Sequence, residues 1–415
     1  MTSTSKRRAG AFGSGLPRNI ALFIDGTWNE AGTRKSTNVR KLFAATLKGL
    51  HAGREQFTFY ISGVGTRPKV ESRGNVDADY QVELARYLQQ EMPGYSTEDS
   101  RKLIGGVTGW GTAGRIKVTY HRLCELYNRE RGDRVFMFGF SRGAFAARSL
   151  AGFVGKVGLL LADKLEHVER AYEIYERSED PAQTELAEFL EKLTGVRAVH
   201  GESEYYLPMH FLGVWDTVAS LGMPSRLEWL AAPFTEYHQV EVPPSVMTAR
   251  HALALHELRR SFEPSLWKPG GHSDLKQVWF SGAHADVGGG YAVGEDGLSD
   301  VALRWMASEA RKCGLVLDDA PTWWTVWNEQ PHVHHEFRGA FLATWPAPRS
   351  WLLDHSEGGE KSHHFHRSAI DYLQNADQTR YGFKLPYVNA ALRKTDAVAL
   401  PMAVYLQLMG QGVLK

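Results

Sequence analysis

The sequence predicts an α/β fold, a mostly parallel sheet wound on both faces by helices. Short apolar runs of strand length alternate with longer stretches of helical periodicity, the pattern of repeated strand–helix–strand units. Each apolar run ends in a polar or glycine-rich turn, so Asp25, Gly63, Ser141, Asp216 and His284 all fall just past a strand. In parallel sheets, chemistry collects outside the carboxyl ends of the strands. Five polar clusters in that one kind of place agree with the fold they help to predict.

Residues 1–18 contain Lys6, Arg7 and Arg8 with no apolar core behind them. They read as a flexible tail, not a signal peptide. Asn19 to Ile24 is a buried strand running into Asp25-Gly26-Thr27-Trp28-Asn29. From Lys35 to Leu50, Val39, Leu42, Phe43 and Leu47 share a face, which predicts a helix capped by Ser36 or Thr37. Phe57 to Ser62 is a second strand, ending in Gly63-Val64-Gly65-Thr66, and residues 67–100 form a polar excursion off the sheet. A glycine-rich stretch, Gly105 to Gly114, opens a helix with Ile116, Tyr120, Leu123 and Tyr127 on one face. Its glycine spacing matches a phosphate-binding P-loop, but Arg115-Ile116 stand where that loop needs Lys and Ser/Thr, so the motif fails.

Val135 to Phe138 then runs into Gly139-Phe140-Ser141-Arg142-Gly143, with Ala144, Ala147 and Ala151 following at helical spacing. Strand, sharp turn and helix, with serine at the turn, fit the G-x-S-x-G nucleophile elbow of α/β-hydrolases. A side chain at either glycine would clash where the backbone doubles back. The fold class therefore narrows to the α/β-hydrolase fold. The charged, helical stretch at about 158–207 reads as an inserted helical cap. Met209 to Trp215 is a strand ending in Asp216-Thr217-Val218, and residues 245–262 predict a helix. Gln277 to Phe280 is a further strand, ending in Ser281 to Gly290, and a helix carrying Leu298, Val301, Leu303, Trp305 and Met306 follows. Residues 321–415 are rich in aromatics and prolines without a clear sheet pattern. They read as a C-terminal cover packed on a core of residues 19–320.

Serine needs a base to take its proton, and the base needs a partner to hold its tautomer. In α/β-hydrolases the chain order is Ser, then Asp or Glu, then His. Ser141, Asp216 and His284 satisfy it as nucleophile, orienting carboxylate and general base. Asp216 could instead be a turn-capping residue, with Asp286 as the acid. His284 could be structural, with His366 of His363-His364-Phe365-His366 as the base. That cluster and His332-Val333-His334-His335 resemble metal-binding runs, but neither pairs with a second spaced group, so no metal and no cofactor is predicted. For the oxyanion, one donor is the backbone N–H of Arg142. The other comes from Gly26-Thr27 or, as second choice, Gly63 to Thr66.

Composition removes other classes. Lys+Arg 48 against Asp+Glu 47 gives a net charge of +1, without the basic excess of a nucleic-acid binder. Two cysteines, Cys124 and Cys313, read as buried thiols and not a disulfide. No stretch approaches about 18 apolar residues, so no membrane-spanning helix is predicted. With no signal peptide the default location is cytoplasmic, with non-classical export through a secretion system still open. Trp323, Trp324, Trp327, Trp345 and Trp351 suit either an interfacial surface for transient membrane contact or a core. Nothing in the composition fixes an oligomeric state.

With these residues assembled, the chain resembles the bacterial and fungal α/β-hydrolase-like domain family that includes the class 1 lipase effectors of type VI secretion. The matching stretches are Asp25 to Asn29, Thr37-Asn38-Val39, Gly63 to Thr66, Gly139 to Ala144, Val214 to Val218 and Gly282 to Gly290, with a fainter match at His366-Arg367-Ser368 and Tyr387. The resemblance implies a Ser-Asp-His hydrolase acting on phospholipid esters, with Ser141, Asp216 and His284 as its triad. It also implies, for the long secreted effectors, an extra membrane-attachment region, so this chain reads as the catalytic portion with a modest cover. Two other readings remain: a non-catalytic binding protein on a hydrolase fold, and a phosphatase using Asp25. The phosphatase reading is weakened because D-x-D-G-T places its nucleophile where Phe23 stands.

Overall fold

In a computed structural model, the structure describes residues 15–26, 35–61, 110–177, 184–195, 209–218, 241–268, 274–319, 333–334, 363–366, 369 and 399–401. In chain order the elements are β1 (Arg18–Ile24), β2 (Lys35–Thr37), α1 (Asn38–Ala45), β3 (Gly49–His51), β4 (Arg54–Ile61), α2 (Trp110–Leu126), β5 (Arg134–Phe140) and α3 (Arg142–Val157). There follow α4 (Val168–Glu176), α5 (Thr184–Thr194), β6 (Met209–Trp215), β7 (Thr248–Ala254), β8 (Asp274–Phe280), α6 (His284–Gly288), β9 (Gly289–Ala292), α7 (Gly297–Lys312), β10 (His363–His366) and β11 (Ala399–Pro401).

Among the described residues, nine strands form one sheet in the order β11-β10-β8-β7-β6-β5-β1-β4-β3. The run from β4 through β10 pairs in parallel, while β3 and β11 pair antiparallel at the two edges. The chain starts at β1, moves outward to β4, then returns to β5 on the other side of β1. That reversal makes the carboxyl ends of β1 and β5 the topological switch point, the usual ligand position in a doubly wound sheet.

The central strands alternate between two cores, apart from a register shift at the start of β6. On one face Ile20, Leu22, Val135, Met137, Leu212 and Val214 meet Tyr120 of α2 and Leu150 and Phe153 of α3. On the other, Phe23, Phe136, Phe138, Phe211 and Trp215 meet Val39 and Leu42 of α1 and Ala302 and Met306 of α7. Phe23 stacks on Phe138 at 5.0 Å, which binds β1 to β5 at the centre. α4 and α5 join the first layer: Tyr172 and Tyr175 of α4 pack on Phe153, and Leu190 and Leu193 of α5 share that core.

Three expectations need correction. Residues 245–262 form strand β7 and a short 3-10 turn (Arg260–Phe262), not a helix. Alanine, leucine and arginine favour a helix locally, but β7 is buried on both faces between β6 and β8, and the tertiary position decides. Its polar residues, which look like a solvent face, are each satisfied inside. Arg250 pairs with Glu309 and Asp274, and His251 accepts from Thr217 N–H at 3.2 Å. Second, the helix expected over 35–50 covers only Asn38–Ala45, between β2 and β3; Thr37 caps it by accepting from Arg40 N–H at 3.1 Å. Third, the region beyond 321 does contribute to the sheet: β10 pairs with β8 and carries β11. Its histidine-rich sequence hides one fully buried anchor, Phe365.

Cys124 and Cys313 are both free, Cys124 buried and Cys313 half-buried. Burial pushes the Cys124 thiol up to about 12. No described helix is long and apolar enough to cross a membrane. The terminal tail up to residue 14, residues 67–100, Gly105 to Gly109 and the five tryptophans from Trp323 to Trp351 lie outside the described residues.

One ion-pair cluster ties α7 to the sheet. Glu309 accepts from Arg250 Nε and Lys312 Nζ, both at 2.6 Å, and its side chain is 5% exposed. Burial alone would raise its carboxyl; hydrogen bonds from Lys312 and Arg250 and the charges of Arg250 and Lys276 outweigh that and hold it at about 2, against an ordinary 4.5. A depressed carboxylate stabilises the fold above its unfolded value and loses that contribution as pH falls through the folded one. About 3 kcal/mol is therefore expected to disappear between about pH 4.5 and about pH 2. Urea midpoints across this window should fall steeply for the wild type and more shallowly for Glu309→Gln.

Candidate active site

Ser141 stands between β5 and α3 with φ 56° and ψ −123°. Among the described residues only Ala52, Ser141 and Asp216 combine a side chain with positive φ, and two of the three belong to this site. Such strain costs about 1–3 kcal/mol and persists only where the surroundings enforce it. Here they do. A Cβ on Gly143 would lie 2.1 Å from Ile24 O and 2.6 Å from Asp25 O, and one on Gly139 would lie 2.5 Å from Gly143 O. The elbow is thus pressed against the end of β1, with no room for a side chain at either glycine. Gly143→Ala is expected to lower stability by about 3 kcal/mol, read as a lower denaturant midpoint at unchanged slope.

Asp216 follows β6 and is fully buried. Its Oδ2 lies 2.6 Å from His284 Nδ1, and its Oδ1 accepts from Ala254 N–H at 2.9 Å. His284 opens α6 just past β8. Phe140, the residue before Ser141, packs on its imidazole at 4.7 Å, and Phe262 meets it edge-on at 5.0 Å. The Ser141 N–H donates to Trp215 O at 3.1 Å, next to Asp216. Asp216 and His284 are thus in direct contact, and Ser141 stands at the neighbouring strand end, linked to them through Phe140 and Trp215; each of the three is 8% exposed or less. A carboxylate on Nδ1 fixes the imidazole tautomer with Nε2 as acceptor, while the first-turn N–H groups of α3 have no intrahelical acceptor and favour negative charge at Ser141.

The other predicted residues are placed as follows. Arg142 is the first residue of α3, and burial lowers its guanidinium to about 10. Gly26 lies against the elbow: a Cβ there would be 3.3 Å from Ser141 Cβ. Its N–H donates to Asp25 Oδ1 at 2.7 Å. Thr27 and Gly63 to Thr66 lie outside the described residues. Asp25 is fully buried. Burial pushes its carboxyl up, against hydrogen bonds from Tyr60, Thr37 and the Gly26 N–H. Both oxygens are engaged, with Thr37 Oγ1 and Tyr60 Oη donating to Oδ2. Asp25 thus ties Gly26 to Thr37 and to Tyr60 of β4, and is not an exposed nucleophile.

Asp286 does not share His284. Its Oδ1 lies 2.6 Å from His334 Nδ1, its Oδ2 accepts from the N–H groups of Ala283 and His334, and His334 stacks on Tyr291 at 3.7 Å. His366, on β10, stacks on Phe280 at 4.7 Å, and burial lowers it to about 4. His332, His335, Arg367, Ser368 and Tyr387 lie outside the described residues. Among the described residues no group of three or more His, Cys, Asp or Glu is arranged to hold a metal ion.

Two residues at this end of the sheet were invisible in the sequence. Glu257 and Arg259 follow β7 as Asp216 follows β6, and Glu257 Oε2 accepts the His284 backbone N–H at 3.2 Å. The strand-end signal existed, but reading 245–262 as a helix concealed it.

The family model of the type VI secretion phospholipase effector Tle1-like catalytic domain matches residues 18–309. An uncharacterised protein of Saccharomyces cerevisiae is 30% identical over 252 residues, a match covering 61% of this chain and 33% of that protein. The chain thus spans about a third of that relative's length. Among solved structures, an uncharacterised protein from Pseudomonas aeruginosa aligns at 22% identity and a TM-score of 0.39, over 75% of this chain and 47% of that one. A Tle1 effector solved bound to the VgrG spike of the type VI secretion system aligns at 16% identity and a TM-score of 0.41, over 79% of this chain and 78% of that one.

Proposed function

Because the chain belongs to the family of Tle1-like phospholipase effector catalytic domains, we propose that it is a serine ester hydrolase that cleaves phospholipids through Ser141, His284 and Asp216. The observation that most supports this reading is the 2.6 Å contact between His284 Nδ1 and fully buried Asp216, beside a serine held at positive φ. In the proposed reaction, His284 Nε2 takes the Ser141 proton as Oγ adds to the ester carbonyl. Asp216 holds the Nδ1 proton and stabilises the imidazolium. The carbonyl oxygen, now negative, is held by the Arg142 N–H and a second donor from the loop after β1, for which Thr27 is our choice since Gly26 serves Asp25. Collapse expels the lysolipid alcohol, protonated by His284, and water releases the acyl group by the reverse path.

The substrate class and the route of action, export with contact at a membrane surface, are inferred from the family. The burial of Asp25 disfavours the phosphatase reading. The test is covalent. A fluorophosphonate should label the wild-type protein at Ser141, block hydrolysis of both p-nitrophenyl butyrate and phosphatidylcholine vesicles, and fail to label Ser141→Ala. Absence of labelling would instead favour a binding protein on a hydrolase fold.

A further inference from the structure

We propose that Glu257, Arg259 and Phe262 form a single brace that positions His284. The inference rests on reading His284 as the base. Glu257 is 1% exposed, and a carboxylate is buried that deeply only when paired. Its Oε2 accepts from the His284 backbone N–H at 3.2 Å and from Arg259 Nη2 at 2.7 Å, while Oε1 accepts from Arg259 N and Nε, both at 2.8 Å. The Arg259 guanidinium covers the Phe262 ring at 3.6 Å, and Phe262 meets the His284 imidazole edge-on at 5.0 Å. The contacts close a circuit from the His284 main chain through carboxylate, guanidinium and phenyl back to the His284 ring.

The base needs such support. It opens a helix of five residues, too short to be held by its own hydrogen bonds. Asp216 restrains one ring nitrogen and leaves the ring free to tilt about that contact. Phe140 packs on the imidazole at 4.7 Å, and the brace adds Phe262 and fixes the backbone. A buried ion pair is a weak source of stability, since desolvation offsets most of its attraction. What the forked Arg259–Glu257 pair supplies is direction. All three residues act through His284, so they are positioning residues and not catalytic ones.

The test uses the full chain and a soluble p-nitrophenyl ester. Glu257→Gln and Arg259→Gln should lower kcat on the order of ten- to a hundredfold with KM unchanged. The low-field proton resonance of the His284–Asp216 hydrogen bond should shift or broaden in the same variants. Arg259→Lys, which keeps the charge without the fork, should restore only part of kcat. If Glu257→Gln does not fold, Phe262→Leu, a conservative apolar change, gives the same two readouts. A folded variant with wild-type kcat and an unmoved resonance overturns the brace. If His284→Ala is inactive while those variants are normal, the brace alone fails; an active His284→Ala removes the base assignment itself.

Discussion

Ser141→Ala is expected to lower kcat for ester hydrolysis on the order of 10⁶-fold while leaving the protein folded. The size follows from what remains. Without Oγ no acyl-enzyme forms, and the N-terminus of α3 can only polarise a carbonyl for attack by water. Ser141→Gly should be equally inactive but more stable than the wild type, by about 1 kcal/mol, because glycine adopts φ 56° without steric cost. Hydrolysis rates and thermal midpoints of the three proteins decide it. Residual activity near the wild-type level in either variant would remove Ser141 from the mechanism, and a destabilised glycine variant would show that the elbow is unstrained.

Asp216→Asn should lower kcat on the order of 10⁴-fold with little change in KM or stability. Asparagine keeps an oxygen for the Ala254 N–H and tolerates φ 41°. Its amide, however, presents donors to His284 Nδ1 where the carboxylate accepted. The imidazole then favours the tautomer with its proton on Nε2, which cannot take one from serine. Asp286→Asn is the control: its carboxylate serves His334 and the Ala283 N–H, so it should cost much less activity. The reverse ranking of the two variants would make Asp286 the acid.

The legible features in the sequence were those with a local cause. β1, β5, β6 and β8 each contain a short apolar run, at residues 20–24, 135–138, 211–215 and 278–280, followed by polar residues at the strand end. Although only Gly139 answers a demand inside the motif and Gly143 answers the end of β1, the elbow could be read because its pattern is local. β7 could not, since Ala249 and Ala252 carry no β signal and only their pairing on both sides makes a strand. β10 was hidden for a related reason: three histidines surround one apolar residue, and that residue alone is a deep anchor. The pairing of Asp286 with His334, 48 residues apart, was equally unreadable. Spacing could not tell which carboxylate faces which histidine; only the fold brings Asp216 to His284 and Asp286 to His334, each at 2.6 Å.

The crossing from β4 back to β5 bears on how activity is acquired during synthesis. β1 is flanked by β4 and β5, and the Ile24–Gly139 pairing joins residues 115 positions apart. Contacts of such separation must meet their loop-closure cost before they are rewarded, so they lag local contacts. The elbow's strain is enforced by that same seam, through Gly143 against Ile24, and His284 arrives later still, after β8. Ser141 is therefore expected to take up its strained conformation only once β1 and β5 have paired. If the chain hydrolyses phospholipids as proposed, topology is a safeguard: the strained serine and its partners come together only once strands far apart in sequence have paired.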